Sequence, residues 1–89
     1  MEIPHLFEAA ALADELSASR RKQIVISVHR DGLVIDGCYR DASLAVRQDF
    51  QLAIPWKMAI DGHNVLVLSV RQMDEKLTTA WREASASAE

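Results

Sequence analysis

The stretch SLAVRQDFQLAIPWKMAID, residues 43–61, decides the fold of this chain. Its even positions are mostly apolar and its odd positions mostly polar or small, and this period of two indicates extended chain with one buried face. Because the run is longer than one ordinary strand, we predict a hairpin with its loop at 47–49 and with Pro55 at an edge or a bulge. A helix over 42–54, which would give an αββαβα sandwich, is the alternative interpretation.

The preceding residues, 24–40, carry a hairpin signal. Asp31-Gly32 lies between two apolar runs, and a two-residue loop of type I′ needs positive φ at both central positions. With these two residues as the loop, Arg30 lies opposite Leu33, and the register separates an almost wholly apolar strand face from a wetter one. The sequence therefore predicts two antiparallel strands joined by a tight turn.

The wetter face raises the question of a site, because it carries His29, Asp36 and Cys38. In the predicted register Cys38 lies opposite Val25, about 13 Å along the strands from His29. A Cys–His dyad needs hydrogen-bond contact, so we interpret these residues as an ordinary polar face on which His29 can pair with Asp36. The chain also has no glycine-rich phosphate loop and no metal-ligand spacing. We therefore predict no catalytic, cofactor-binding or metal-binding residue.

Apolar stripes predict a helix at each end of the chain and a last strand between them. The N-terminal stripe recurs at helical spacing and consists of Leu6, Ala9, Ala13 and Leu16. VLVLSV, residues 65–70, is unbroken apolar sequence apart from one serine, which is typical of a strand covered on both sides. A second helical stripe follows, made of Val70, Met73, Leu77, Ala80, Trp81 and Ala84.

The predicted fold class is therefore α+β. One domain spanning 1–89 would have an N-terminal helix, a five-stranded antiparallel barrel or curled sheet, and a C-terminal helix. Alternation and turn positions predict the buried residues: Ile24, Ile26, Val28, Ile35, Tyr39, Val46, Phe50, Leu52, Val67 and Leu77.

Composition narrows the class of protein. The chain has 89 residues, a net charge of −3 and one cysteine, so it is too short for a second core and cannot form an intramolecular disulfide. No apolar run approaches the length of a membrane span, and the acidic start does not match a signal peptide. We expect a cytoplasmic protein without cofactor or membrane contact. The acidic balance also argues against broad binding to a phosphate backbone.

One helix followed by a five-strand meander resembles the Sm-like small β-barrel, which the RNA chaperone Hfq and the Rho-inhibiting antiterminators use. ISVHRDGLVIDG, residues 26–37, is similar to the first Sm motif, in which a strand, a glycine turn, a strand and a second glycine follow one another. Asp41 is placed like the acidic residue of that motif. The resemblance covers roughly residues 24–70.

WKMAID, residues 56–61, is similar to the Tyr-Lys-His-Ala-Ile segment of Hfq. Trp56 and Lys57 match in type, but Met58 replaces the histidine that contacts RNA in that family. The resemblance implies that Trp56 stacks on a nucleotide and that Lys57 supplies charge. From the residues alone we prefer a core position for Trp56, because it lies on the apolar even face.

The features above favour a non-enzymatic binding module. We predict a small regulatory protein that docks on a protein partner and modulates or inhibits it, as small antiterminators and phage-encoded inhibitors of host machinery do. The alternative is an Sm-like or Hfq-like oligomer that binds RNA, which a basic patch of Arg20, Arg21, Lys22, Arg30 and Lys57 would support. The predicted partner-binding residues are Trp81, Arg30, Lys57 and Trp56, with Trp81 facing a partner or a second copy.

Overall fold

A three-stranded antiparallel sheet with helices on one face forms the protein. The computed structural model describes residues 3–18, 22–40, 47–60 and 64–87. The strands are paired in the order β1-β2-β3. The elements in chain order are α1 (Leu6–Leu16), β1 (Lys22–His29), β2 (Gly32–Arg40), β3 (Arg47–Pro55), α2 (Trp56–Ile60) and α3 (Val65–Ser87).

The predicted hairpin is present, but its register differs by two residues. Val28 lies opposite Leu33, where Arg30 was expected, and the loop is Arg30-Asp31 rather than Asp31-Gly32. A shift of two leaves every side chain on its predicted face, whereas a shift of one would have inverted them. Gly32 is instead the first residue of β2, and a Cβ there would overlap the backbone carbonyl oxygen of Ile54. The glycine therefore allows β3 to pass close by.

Helices α1 and α3 cover the apolar face of the sheet. Ser17, just after α1, bonds to Ile24 near the start of β1, so α1 runs antiparallel to β1. Met73 lies directly over Gly37 of β2, which has no side chain to keep the helix away. The fully buried centre of the core is Leu33, Ile35, Leu66, Val70, Met73 and Leu77.

The predicted strand at 65–70 is wrong, because these residues form the first turns of α3. Leu66 and Val70 are buried together with Met73, so the apolar run continues the helical stripe that follows it. A short apolar run fits a buried strand and a buried helix equally well by periodicity. Only the packing of Leu66 and Val70 in the core shows that the run is helical.

The residues predicted as a loop, 47–49, are also strand. They pair with the end of β2, and Arg47 lies opposite Arg40. The alternation stops at Pro55, where the short helix α2 begins. Within the described residues the sheet has three strands and is open, so five strands and a barrel are not shown. The αββαβα alternative fails as well, since 47–54 is extended.

Most of the predicted core lies inside. Ile24, Ile35, Tyr39 and Leu77 are buried, and four others are partly buried against the same cluster: Ile26, Phe50, Leu52 and Val67. Val28 is the exception, with 69% of its surface exposed. Val28 is the penultimate residue of β1, beside the turn, and β1 is an edge strand. Val46 and Asp41 lie outside the described residues.

Candidate docking site

Three of the four predicted partner-binding residues lie at the hairpin end of the sheet. The indole Nε1 of Trp56 donates a hydrogen bond of 2.8 Å to the carbonyl of Arg30. The backbone N–H of Trp56 donates to the carbonyl of Asp31 at 3.3 Å. Trp56 is therefore a half-buried tie between the turn and α2, while the side chains of Arg30 and Lys57 are exposed on either side.

Trp81, the fourth predicted residue, lies elsewhere. It is one helical turn beyond Leu77, which packs near Gly37, so it lies towards the end of the sheet opposite the hairpin turn. Its exposed fraction is 41%. The structure therefore does not bring Trp81 together with Trp56.

The basic patch is not assembled by the described residues. Lys22 begins β1, and its Nζ lies 2.7 Å from Oδ1 of Asp74 on α3. Seven residue steps along β1, or about 23 Å, separate Lys22 from His29, which is followed by Arg30. Lys22 therefore forms an ion pair that joins β1 to α3, and it does not share a basic surface with Arg30. Arg20 and Arg21 lie outside the described residues.

The outer face of the sheet, which the helices do not cover, carries the predicted polar residues His29 and Asp36, but Ser27 lies between them in place of a direct pair. Ser27 Oγ lies 3.0 Å from Nε2 of His29 and donates to Asp36 Oδ2 at 3.3 Å. Gln51 of β3 donates to the other oxygen of Asp36 at 3.0 Å. The serine stands between histidine and aspartate, so the histidine lacks the carboxylate that a catalytic triad requires. The spacing of Ser27 and His29, two residues apart on one strand, is the sequence feature that places them on the same face.

Cys38 is far from His29, as expected, although its neighbour differs. It lies opposite Gln23 on β1 and opposite Asp49 on β3, and it is buried. Beside it, Nε of Arg47 donates to Oδ1 of Asp49 at 2.9 Å. This hydrogen bond lowers the pKa of Asp49 and raises the pKa of Arg47. Both residues of this ion pair belong to β3, so the side chain of Arg47 lies along its own strand.

Backbone polarity identifies the groups along the edge of β3. In an antiparallel strand, the N–H and the C=O of one residue both point to the same side of the strand, and those of the next residue point to the other side. The bond from the N–H of Trp56 to the carbonyl of Asp31 shows that the backbone groups of the even residues of β3 point towards β2. The odd residues therefore point their backbone groups away from the sheet. They are Arg47, Asp49, Gln51, Ala53 and Pro55, of which only Pro55 lacks an N–H.

The opposite edge, on β1, is partly occupied. Ser17 Oγ accepts from the N–H of Ile24 at 2.8 Å. Its own hydrogen is donated to the carbonyl of Ala13 at 2.6 Å, with the carbonyl of Ile24 further away at 3.2 Å. The bond from Ile24 also confirms the polarity of the sheet, since it places the backbone groups of the even residues of β1 at its outer edge. No comparable contact from the described residues covers the outward backbone groups of β3.

A groove runs along β3, between that strand and α3. Its volume is about 610 Å³. Gln48 and Phe50 form the strand wall, and Phe50 is half-buried. The helix wall consists of Gln72, Glu75, Lys76, Thr79, Ala80 and Glu83. The helix therefore stands beside the strand edge at a position where an added strand would direct alternate side chains towards it. We call the outward edge of β3 and this groove the β3 docking edge.

The described residues contain no group of three or more histidine, cysteine, aspartate or glutamate side chains that could hold a metal ion. In the same residues no helix is both long enough and apolar enough to cross a membrane. No protein-family model, curated protein or solved structure matches this chain.

Proposed function

We propose that this protein is a small non-enzymatic binding module that docks on another protein and thereby modulates it. The observation that carries the proposal is the β3 docking edge, where backbone groups that no described residue pairs with lie beside a groove. An extended segment of a partner would pair with these groups and add a fourth strand to the sheet. Strand addition of this kind takes its affinity from main-chain hydrogen bonds and its specificity from pockets for alternate side chains.

The groove defines the chemistry of the segment. An added strand alternates its side chains between the two faces of the sheet. Those on the helix side would meet the ring of Phe50 and, on α3, mostly polar and charged side chains, so the one opposite Phe50 should be apolar and its neighbours on that side polar. Those on the outer side would lie beside Arg47 and Asp49, which are exposed, so they should be polar. The partner is therefore a protein that presents an extended, mainly polar segment with an apolar residue at the position opposite Phe50.

The other candidate, an RNA-binding Sm-like oligomer, has less support from the geometry. The indole N–H of Trp56 is already bonded to Arg30, and Lys22 is paired with Asp74. The ion pair neutralises a charge that phosphate binding would use, and the indole bond ties Trp56, which is half-buried, to the hairpin turn. Binding of a 12-nucleotide poly(U) RNA at two salt concentrations separates the candidates, because phosphate contacts make affinity fall steeply with salt.

Selection from a displayed library of random nonapeptides tests the proposal. We expect the full chain to enrich extended peptides with an apolar residue near the centre, where it would contact Phe50, flanked by polar residues. Binding should fall at least tenfold in the Gln51→Pro variant, whose proline removes an outward N–H at the centre of the edge. Chemical-shift changes on peptide binding should be concentrated in β3 and the facing side of α3.

Val28→Pro is the matched control, since it removes an outward N–H from the exposed end of the other edge strand. It should bind the selected peptides as tightly as the original chain. Equal binding by the Gln51→Pro variant, or binding lost only in Val28→Pro, would refute docking at β3. Tight, salt-sensitive binding to poly(U) without any peptide selection would favour the RNA candidate.

A further inference from the structure

We infer that β3 of a second copy of this chain occupies the β3 docking edge when no other segment does. The inference rests on the proposed function, because it concerns the same edge, and it adds a means of regulation. A pair of copies joined edge to edge would hide the docking site of each. A partner segment would then have to displace one copy before it could bind.

The edge is complementary to itself in one register. Four residues carry both an outward N–H and an outward C=O: Arg47, Asp49, Gln51 and Ala53. An antiparallel pair with its two-fold axis at Phe50 places Arg47 opposite Ala53 of the second copy, and Asp49 opposite Gln51. Every outward donor then has an acceptor, and Pro55, which cannot donate, lies just outside the paired segment.

The side chains favour the same register. With the axis at Phe50, each charged side chain on the outer face lies opposite a neutral one, and Asp49 lies opposite the Gln51 amide. An axis at Asp49 would instead oppose two carboxylates, which is unfavourable. An axis at Gln51 would place Arg47 opposite Pro55 and lose a donor at each end.

The groove side also fits a second copy. With the axis at Phe50, the two phenyl rings lie opposite each other at a non-hydrogen-bonded pair, where side chains come closest. Aromatic cross-strand pairs are among the favourable ones. The two α3 helices would then stand three strand spacings apart, about 14 Å. That separation leaves room between them for the two Phe50 rings and the polar side chains of the groove.

Cysteine cross-linking tests both the pairing and its register. All variants carry Cys38→Ser, so that only the new thiol reacts. Phe50→Cys should form a disulfide-linked dimer under mild oxidation, because its Cβ atoms face each other across the axis. Gln48→Cys and Leu52→Cys should each remain uncross-linked alone but form a cross-linked heterodimer when mixed, because these two positions lie opposite each other. Ile26→Cys, on the β1 edge, is the control and should not cross-link.

Sedimentation equilibrium of the unmodified chain is the second measurement, since Phe50→Cys also removes a partly buried ring. We expect reversible dimers that the Gln51→Pro variant loses and Val28→Pro keeps. A chain that stays monomeric at millimolar concentration, or one that cross-links at Ile26→Cys, would overturn the inference. Neither result affects peptide selection by the β3 docking edge. If the unmodified chain forms these dimers but selects no peptide, the proposed function is wrong and the inference on self-pairing stands.

Discussion

The two edges of the sheet are finished in different ways. On β1, the side chain of Ser17 accepts a hydrogen bond from the outward N–H of Ile24, and α1 contacts the same strand. On β3, the described residues leave the outward backbone groups without a partner and place a groove beside them. Unpaired edges invite pairing with other chains, and native proteins usually protect them. The contact at Ile24 on β1 and the groove beside β3 are the two differences that support the proposed docking at β3.

The largest expected change in stability comes from proline substitution in β3, where one N–H bonds to β2 and the next points outward. Leu52→Pro removes an N–H that bonds to β2, and we expect a loss of about 3 kcal/mol in the free energy of unfolding. Gln51→Pro removes an N–H that points outward, so its cost should be about 1 kcal/mol. Urea denaturation followed by circular dichroism measures both.

Amide exchange provides the control for this pair in the unmodified chain. The amides of Phe50, Leu52 and Ile54 should be protected, and those of Gln51 and Ala53 should exchange faster at protein concentrations too low for self-association. Equal costs for the two prolines, or protection without alternation, would show that the polarity assigned to β3 is wrong.

The second prediction concerns how β3 is held against the rest of the sheet. A Cβ at Gly32 would overlap the backbone of Ile54, whereas a Cβ at Gly37 would overlap Sδ and Cγ of the buried Met73 side chain. Gly32 also has a φ of 154°, which side-chain-bearing residues rarely adopt. Because a side chain can move further than a backbone, Gly32→Ala should cost about 3 kcal/mol or more and Gly37→Ala about 2 kcal/mol. Thermal melting of the two variants gives the comparison, and the reverse order would contradict it.

Local pattern was enough to predict much of the fold. The stripe in α1, the hairpin between β1 and β2, and the extended residues of β3 each follow from periodicity or turn chemistry. The register of the hairpin was missed by two residues, because Gly32 was read as a turn residue. Its glycine is needed for the close approach of Ile54, a contact between strands that the local sequence does not show.

The rest depended on contacts between distant residues. VLVLSV fits a strand as well as a helix until Leu66 and Val70 are seen packed with Met73. The tie between Trp56 and Arg30 joins residues on different elements, so the sequence could propose them separately but not place them together. The β3 docking edge was also missed, because an edge is free only if nothing elsewhere in the chain covers it.

The third prediction removes the protection of the β1 edge. Ser17→Ala leaves the part-buried N–H of Ile24 without its acceptor and the carbonyl of Ala13 without its hydroxyl donor, so we expect a loss of about 1–2 kcal/mol. Faster exchange of the Ile24 amide should accompany it. Ser27→Ala is the matched control, since its hydroxyl lies on the outer face of the sheet, and it should cost less. A larger loss for Ser27→Ala would mean that the outer network, rather than the Ser17 contacts, stabilises this part of the sheet.

The smallest effect concerns the charged pair beside the free edge. The hydrogen bond from Arg47 lowers the pKa of Asp49 below its ordinary value of 3.8. A carboxyl group whose pKa is lower in the folded state stabilises the fold above its unfolded pKa, and that contribution is lost as the pH falls through the folded value. Both side chains are well exposed, so we expect a displaced NMR titration with little change in melting temperature. Arg47→Gln should raise the Asp49 midpoint, and Lys76→Gln, in the groove, should leave it unchanged. An Asp49 midpoint at or above 3.8 in the unmodified chain would show that Arg47 is not held along the strand, and that its charge is instead free to lie across the β3 edge.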